Sequence, residues 1–72
     1  MELLEIINEI RVGNGMEKLS SISDNDNLRD DLGFDSFMLA ELTVKVEDET
    51  GVDIFENDFI FTIAQIKAKV NG

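Results

Sequence analysis

The sequence predicts a small all-α domain built as a four-helix bundle, with three main helices and one short helix. Apolar residues recur three and four positions apart in three separate segments, which is the periodicity of amphipathic helices. No segment of useful length alternates apolar and polar residues in the manner of a strand. The chain has 72 residues, 43% of them hydrophobic, so we expect one core and one domain over residues 1–72.

The first helix is predicted from the apolar spacing close to the N-terminus. Its predicted core-facing residues are Leu3, Ile6, Ile7 and Ile10. Glutamate and asparagine residues occupy the opposite side, as expected for a helix with one buried face. Gly13 and Gly15 disfavour continuation, so we expect this helix to end near Val12.

A long loop should follow the first helix. Residues 20–27 are rich in serine, aspartate and asparagine, which favour turns over regular structure. Ile22, Leu28 and Leu32 are the apolar residues expected to hold this connection against the core. Loops of this length are uncommon in small domains and are often functional.

A second helix is predicted to begin with Asp35 as its N-cap and to end at about Glu49, ahead of Gly51. The residues predicted to face the core are Leu39, Leu42 and Val46. A second face mixes apolar and acidic residues, and it comprises Phe37, Met38, Glu41, Val44, Lys45 and Asp48. An inert solvated face would not need this mixture, although Phe37 and Met38 have an alternative interpretation as inward-packing residues.

Two further helices complete the predicted bundle. Residues 56–58 are expected to open a short helical turn that carries Phe59 and Ile60. The last helix should begin with a capping box of Thr62 and Gln65. Its expected hydrophobic staple is Phe61 with Ile66, and its predicted core-facing residues are Ile63, Ile66 and Val70.

The charge balance excludes several classes of partner. Lysine and arginine together number 6 and aspartate and glutamate 16, so the net charge is −10. Nucleic acid and anionic membrane surfaces are therefore not expected as partners, whereas a basic patch on another protein would be attracted. The sequence has no cysteine, no apolar run long enough to span a membrane and no basic start typical of a secretory signal. We therefore expect a cytoplasmic protein.

Neither catalysis by the chain nor metal binding is indicated. There is no histidine or cysteine to act as a general base or nucleophile at neutral pH. Asp24 and Asp26 begin like a calcium-binding loop, but Leu28 stands where the third ligand should be. We therefore expect neither an enzyme nor a metal site.

Ser36 is the outstanding candidate for a modification site. It follows the predicted cap Asp35 at the start of a helix, where the macrodipole and the free backbone N–H groups favour an anion such as a phosphate ester. The alternative is an ordinary first-turn serine, with Gly33 as a turn residue that adopts a positive φ.

Residues 32–37 (LGFDSF) resemble the attachment motif of acyl carrier proteins and of the related peptidyl and aminoacyl carrier domains. In that family the serine that opens the second helix carries 4′-phosphopantetheine through a phosphodiester. The resemblance covers nearly the whole chain, including residues 47–54 (EDETGVDI), which are similar to the family's acidic helix end. It implies an acyl-carrier fold with 4′-phosphopantetheine on Ser36, and with Asp35 and Gly33 as further residues of the cofactor site.

The same resemblance implies a non-catalytic carrier that holds an acyl or aminoacyl group as a thioester. The implied partners are a phosphopantetheinyl transferase and acyl- or aminoacyl-ligases, synthases or transferases with basic docking patches, which act on a monomeric carrier. The implied partner-binding residues are Phe37, Met38, Glu41, Val44, Glu47 and Asp48.

Several positions depart from the family pattern. Phe37 replaces the usual leucine, Met38 stands where an acidic residue is frequent, and the usual proline after the second helix is missing. Phe34 and Ala40 also differ from the customary residue types. These departures indicate a specialised pathway rather than bulk fatty acid synthesis.

Two alternatives stand beside the carrier interpretation. One is a cofactor-free acidic helical adaptor that uses its second helix to bind proteins. The other is an acidic bundle that responds to divalent metal ions. The adaptor predicts that function survives Ser36→Ala, and the metal-responsive bundle predicts stoichiometric calcium binding that depends on Asp24 or Asp26.

Overall fold

Three α-helices make up the regular structure of the computed structural model, which describes residues 2–55 and 60–71. They are α1 (Leu3–Gly13), α2 (Ser36–Thr50) and α3 (Ile63–Asn71). Within those residues the strand-type pairing is a single isolated antiparallel bridge between Asn27 and Thr62. The all-helical class and the three main helices are thus confirmed.

The predicted fourth helix is not confirmed. Its expected opening at residues 56–58 and Phe59 lie outside the described residues. Ile60 is described, and it is buried but not helical. The short helix therefore stays a prediction.

Helix α1 buries the face that the apolar spacing predicts. Its four predicted core residues are all buried, namely Leu3, Ile6, Ile7 and Ile10. The helix ends at Gly13, one residue beyond the expected end, and Asn14 closes it. The Nδ2 of Asn14 donates to the carbonyl oxygen of Ile10 at 2.7 Å, which satisfies one of the unpaired carbonyls at the helix end.

Helix α2 begins and ends through local capping, as predicted. The Oδ1 of Asp35 accepts a hydrogen bond from the backbone N–H of Met38 at 2.9 Å. Gly51 adopts a left-handed conformation at φ 76°, and its N–H donates to the carbonyl oxygen of Glu47 at 2.7 Å. These caps place the helix within one residue of the predicted bounds.

The rotation of α2 about its own axis differs from the prediction. Leu42 and Val46 are fully buried as expected, but the third core position is Met38, at 3% exposure, while Leu39 is only partly buried. Met38 lies one helical turn before Leu42, so the three buried residues form one row of i, i+4, i+8 positions. Two neighbouring apolar rows were available in the sequence, and packing against the rest of the core selects one of them.

Side chains of α1 bind the backbone of the loop that follows it. Asn8 donates from Nδ2 to the carbonyl oxygen of Leu19 at 2.9 Å and accepts from its N–H at 2.7 Å. Arg11 donates from Nε to the carbonyl oxygen of Glu17 at 3.0 Å, and from Nη1 to that of Leu32. The expected apolar anchors are confirmed, because Leu28 and Leu32 are buried and Ile22 packs against the core.

The same loop also holds the start of α3. Carbonyl oxygens of Asp26 and Asp24 accept from the N–H groups of Ile63 at 3.2 Å and Ala64 at 2.9 Å. Lys67 donates to Asp24 Oδ1 at 2.6 Å and forms an ion pair with it. These contacts satisfy first-turn N–H groups that would otherwise lack a partner.

The predicted capping box of α3 is confirmed. Gln65 donates from its N–H to Thr62 Oγ1 at 3.3 Å, and Thr62 donates from its N–H to Gln65 Oε1 at 3.0 Å. Ile63 and Ile66 are fully buried, and Val70 packs against the core. The ring of Phe61 is half exposed. The staple contact between Phe61 and Ile66 stays a prediction.

Gly33 should be intolerant of a side chain. It has a φ of 75°, a left-handed conformation in which a Cβ is strained by about 1–2 kcal/mol. A Cβ there would also lie 2.5 Å from the terminal methyl of Met16, which is the flexible end of its side chain. We therefore expect Gly33→Ala to lower the free energy of unfolding by about 1–2 kcal/mol in urea denaturation.

Gly13→Ala is the matched control for Gly33→Ala. Gly13 is helical, and a Cβ at that position would meet nothing within 4 Å. Alanine there should raise the free energy of unfolding by about 0.5–1 kcal/mol. A stabilising effect of alanine at both positions would contradict the left-handed conformation of Gly33.

The cap of α2 gives a second stability prediction. Asp35→Ala removes the hydrogen bond to the N–H of Met38 and should lower the free energy of unfolding by about 1 kcal/mol. Asp35→Asn keeps the accepting oxygen and should unfold close to wild type in the same urea titration. If asparagine proved as destabilising as alanine, charge rather than the cap bond would be the source of the effect.

Candidate functional site

Ser36 lies at the exposed start of α2. It is the first residue of the helix, directly after the capping residue Asp35. Its hydroxyl therefore projects where the backbone N–H groups and the positive end of the helix macrodipole favour an added negative charge. The position predicted for Ser36 and Asp35 is confirmed.

A guanidinium group contacts the hydroxyl of Ser36. Arg29 donates from Nη2 to Ser36 Oγ at 3.3 Å, and both side chains are exposed. Sequence reasoning missed Arg29, although it is one of only 6 basic residues in a chain with 16 acidic ones. No spacing rule connects positions 29 and 36, because the path of the loop between them brings the two side chains together.

Asn27 organises the turn that carries Arg29. Its Oδ1 accepts hydrogen bonds from the N–H of Arg29 at 2.9 Å and of Asp30 at 3.0 Å. Its carbonyl oxygen accepts from the N–H groups of Asp31 and Leu32, and its own N–H donates to Asp31 Oδ2 at 2.6 Å. The backbone of Arg29 is thereby held in one defined turn.

Gly33 returns the chain from this turn to α2. Its left-handed φ of 75° confirms the expected turn conformation. Immediately afterwards the N–H of Phe34 donates to the carbonyl oxygen of Leu28 at 2.8 Å, and the ring of Phe34 is buried. Gly33 thus contributes a backbone conformation to the site. The buried ring of Phe34 anchors the chain directly before Asp35 and Ser36.

The exposed face of α2 combines apolar and acidic side chains. Phe37 and Val44 are 68% and 60% exposed, and Glu47 and Asp48 are exposed beside them. An open groove of about 380 Å³ follows this face and is lined by Phe37, Ala40, Glu41, Val44, Lys45 and Asp48. Phe37 therefore does not pack inward.

Met38 corrects the predicted partner-binding set. We expected it on the exposed face, but it is 3% exposed and belongs to the core. Met38 precedes Leu42 by one turn on the buried row, whereas its neighbour Phe37 points about a quarter-turn away toward solvent. Met38 is therefore a packing residue and is excluded from the exposed face.

A small cavity of about 100 Å³ adjoins Arg29. Its walls are mainly apolar and comprise Asn27, Leu28, Arg29, Leu39, Phe55, Ile60 and Phe61. The partial burial of Leu39 is explained by this position at a cavity wall rather than in the core row.

Within residues 2–55 and 60–71, no group of three or more acidic side chains is arranged to hold a metal ion. The helices described there include none long and apolar enough to cross a membrane. The hydroxyl of Ser36 faces a cation, Arg29, which cannot act as a general base. An exposed hydroxyl beside a guanidinium at a helix start fits a phosphate ester covalently attached to Ser36.

A family model described as the phosphopantetheine attachment site matches residues 14–69, which is more than half of the chain. The matched range includes Arg29, Gly33, Asp35 and Ser36. Neither a curated protein nor a solved structure matches the chain significantly. Domains of the matched family bear covalent 4′-phosphopantetheine and act as carriers rather than as enzymes. The chain belongs to the phosphopantetheine-binding family of acyl and peptidyl carrier proteins.

Proposed function

We propose that the protein carries an acyl or aminoacyl group as a thioester on 4′-phosphopantetheine attached to Ser36, and presents it to partner enzymes. The observation that carries this proposal is the exposed hydroxyl of Ser36 at the start of α2, 3.3 Å from the guanidinium of Arg29. It lies inside the range matched by the family model. When bound, the cofactor supplies the terminal thiol that holds the cargo.

The residues around Ser36 have separate roles in this proposal. Asp35 caps α2 and so fixes the direction in which the side chain of Ser36 projects from the surface. Gly33 permits the turn that brings the loop to the helix start. A phosphopantetheinyl transferase would form the bond between Ser36 Oγ and phosphorus and break the pyrophosphate bond of coenzyme A. Adenosine 3′,5′-bisphosphate would be the leaving group, and the hydroxyl proton would go to solvent or to the transferase. The carrier supplies the acceptor oxygen and no base.

The exposed face of α2 is the proposed docking surface for these enzymes. Phe37 and Val44 offer apolar contact area, and Glu41, Glu47 and Asp48 surround it with negative charge. Acidic rim residues steer basic partners and raise association rates more than final affinity. This surface adjoins Ser36, so a docked enzyme would meet the cofactor arm directly.

A specialised pathway and a monomeric, cytoplasmic carrier are the remaining parts of the proposal. The aromatic side chain of Phe37, 68% exposed and next to Ser36, supports a dedicated partner with a matching apolar pocket. A net charge of −10 disfavours association between copies of the chain.

The cavity of about 100 Å³ has the volume of roughly three waters. This volume supports burial of a short segment of the phosphopantetheine arm or of the acyl group that it carries.

The attachment residue is tested by mass. Incubation with coenzyme A, magnesium and a broad-specificity phosphopantetheinyl transferase should add one phosphopantetheine to wild type and none to Ser36→Ala. Ser20→Ala, in the exposed loop, is the matched control and should be modified like wild type. A folded wild-type protein that gains no mass would contradict the carrier function and favour the cofactor-free adaptor.

The docking surface is tested by charge reversal. Replacement of both Glu47 and Asp48 by lysine should lower kcat/KM for modification about three- to tenfold at low salt, with kcat nearly unchanged, because association is slowed. The difference from wild type should shrink as salt is raised to about 1 M.

Its matched control changes the same charge elsewhere. Glu2 and Glu17 are exposed acidic residues before and after α1, and their replacement by lysine should affect kcat/KM less. Equal losses in the two double variants would show that net charge, and not the α2 face, governs the encounter.

A further inference from the structure

We propose that Arg29 is the counter-charge of the cofactor linkage: its guanidinium binds the phosphodiester anion formed at Ser36. This inference rests on the proposed function, since it concerns the modified serine. It assigns a role to a residue outside the attachment motif itself. It also explains why a basic side chain occupies this position in a strongly acidic chain.

The contact already present places the two groups within reach. Arg29 Nη2 lies 3.3 Å from Ser36 Oγ before modification. Modification replaces the hydroxyl hydrogen by phosphorus, so the charged non-bridging oxygens lie two bonds from Oγ, on the phosphorus atom. Arginine presents a planar fork of N–H donors that matches phosphate oxygens. The guanidinium can therefore exchange a neutral hydroxyl acceptor for a charged one without movement of the loop.

The surrounding charges make a cation useful at this point. The modified serine follows Asp35, whose carboxylate is held at the helix cap, and the same loop carries Asp30 and Asp31. A phosphodiester adds another negative charge to this group. Like charges carried by one short segment repel one another, and the guanidinium offsets part of that repulsion.

Three of the other basic side chains make different contacts. Arg11 binds the loop backbone at Glu17 and Leu32. Lys45 pairs with Glu9 across α1 and α2 at 3.6 Å, and Lys67 pairs with Asp24. Arg29 instead directs its guanidinium to the attachment oxygen.

The turn around Asn27 keeps Arg29 in position. The backbone N–H of Arg29 is bound by Asn27 Oδ1, and Leu28 and Leu32 on either side are buried. A long exposed side chain anchored at a rigid backbone loses less freedom on binding than one on a mobile loop. The resulting ion pair is exposed, so its expected strength is modest and dependent on salt.

A thermodynamic cycle that combines mutation of Arg29 with modification of Ser36 measures the interaction between the guanidinium and the phosphodiester. Wild type, Arg29→Gln and Arg29→Lys are each prepared unmodified and phosphopantetheinylated, with loading verified by mass, and unfolded in urea at low salt. We expect modification to favour the folded state of wild type over that of Arg29→Gln by about two- to fivefold in the unfolding equilibrium constant. Arg29→Lys should keep part of this difference, and about 1 M salt should reduce it.

A spectroscopic readout separates binding from a purely structural role. The ³¹P resonance of the modified protein should shift in Arg29→Gln, because the phosphodiester loses its donor. Lys18→Gln removes one positive charge beside Glu5 and Glu9 of α1, and it should leave both the resonance and the stability difference as in wild type.

The outcomes distinguish this inference from the proposed function. Equal effects of modification on wild type and Arg29→Gln, with unchanged ³¹P resonances, would overturn the role of Arg29 while leaving the carrier function intact. Failure of wild type to be modified would overturn both. If Arg29→Gln does not fold, the salt dependence of wild type decides: an effect of modification on stability that is the same at low salt and at about 1 M salt would overturn the role.

Discussion

The rest of the structure depends on the burial of three apolar side chains from the loop between α1 and α2. They are Leu28, Leu32 and Phe34, which are 1%, 2% and 3% exposed. A loop held at three points in the core has few alternative conformations, so the hydrogen bonds around Asn27 persist. The loop in turn supplies the carbonyl oxygens that bind the start of α3. One packing constraint therefore sets the entry into α2, the position of α3 and the geometry beside Ser36.

The site combines a rigid backbone with exposed functional side chains. The backbone of residues 27–35 is fixed by burial and capping, whereas Arg29, Ser36 and Phe37 remain accessible. A carrier requires this combination, because its serine must enter an enzyme's active site while the surrounding surface stays recognisable. A rigid backbone lowers the entropy lost on docking, and under the proposed function the acidic residues of α2 promote encounter with basic partners.

Much of the fold was predictable because its signals are local. The capping oxygen of Asp35, the left-handed Gly51 and the reciprocal bonds of Thr62 and Gln65 each involve residues no more than four positions apart. The buried face of α1 follows from the spacing of its apolar residues alone. The place of Ser36 at the start of α2 was predictable for the same reason.

By itself, the sequence determined the three main helices, the caps of α2, the capping box that opens α3, the anchored loop and the serine at a helix start, since these follow from periodicity and short-range hydrogen bonding. Only the tertiary structure decided that Met38 rather than Leu39 completes the buried row, and that Arg29 reaches Ser36. Both depend on how distant segments pack: the rotation of α2 is set by the core it covers, and the contact of Arg29 by the path of a pinned loop. Periodicity leaves such choices open, because adjacent apolar rows and solvated charges carry no local signal of their partners.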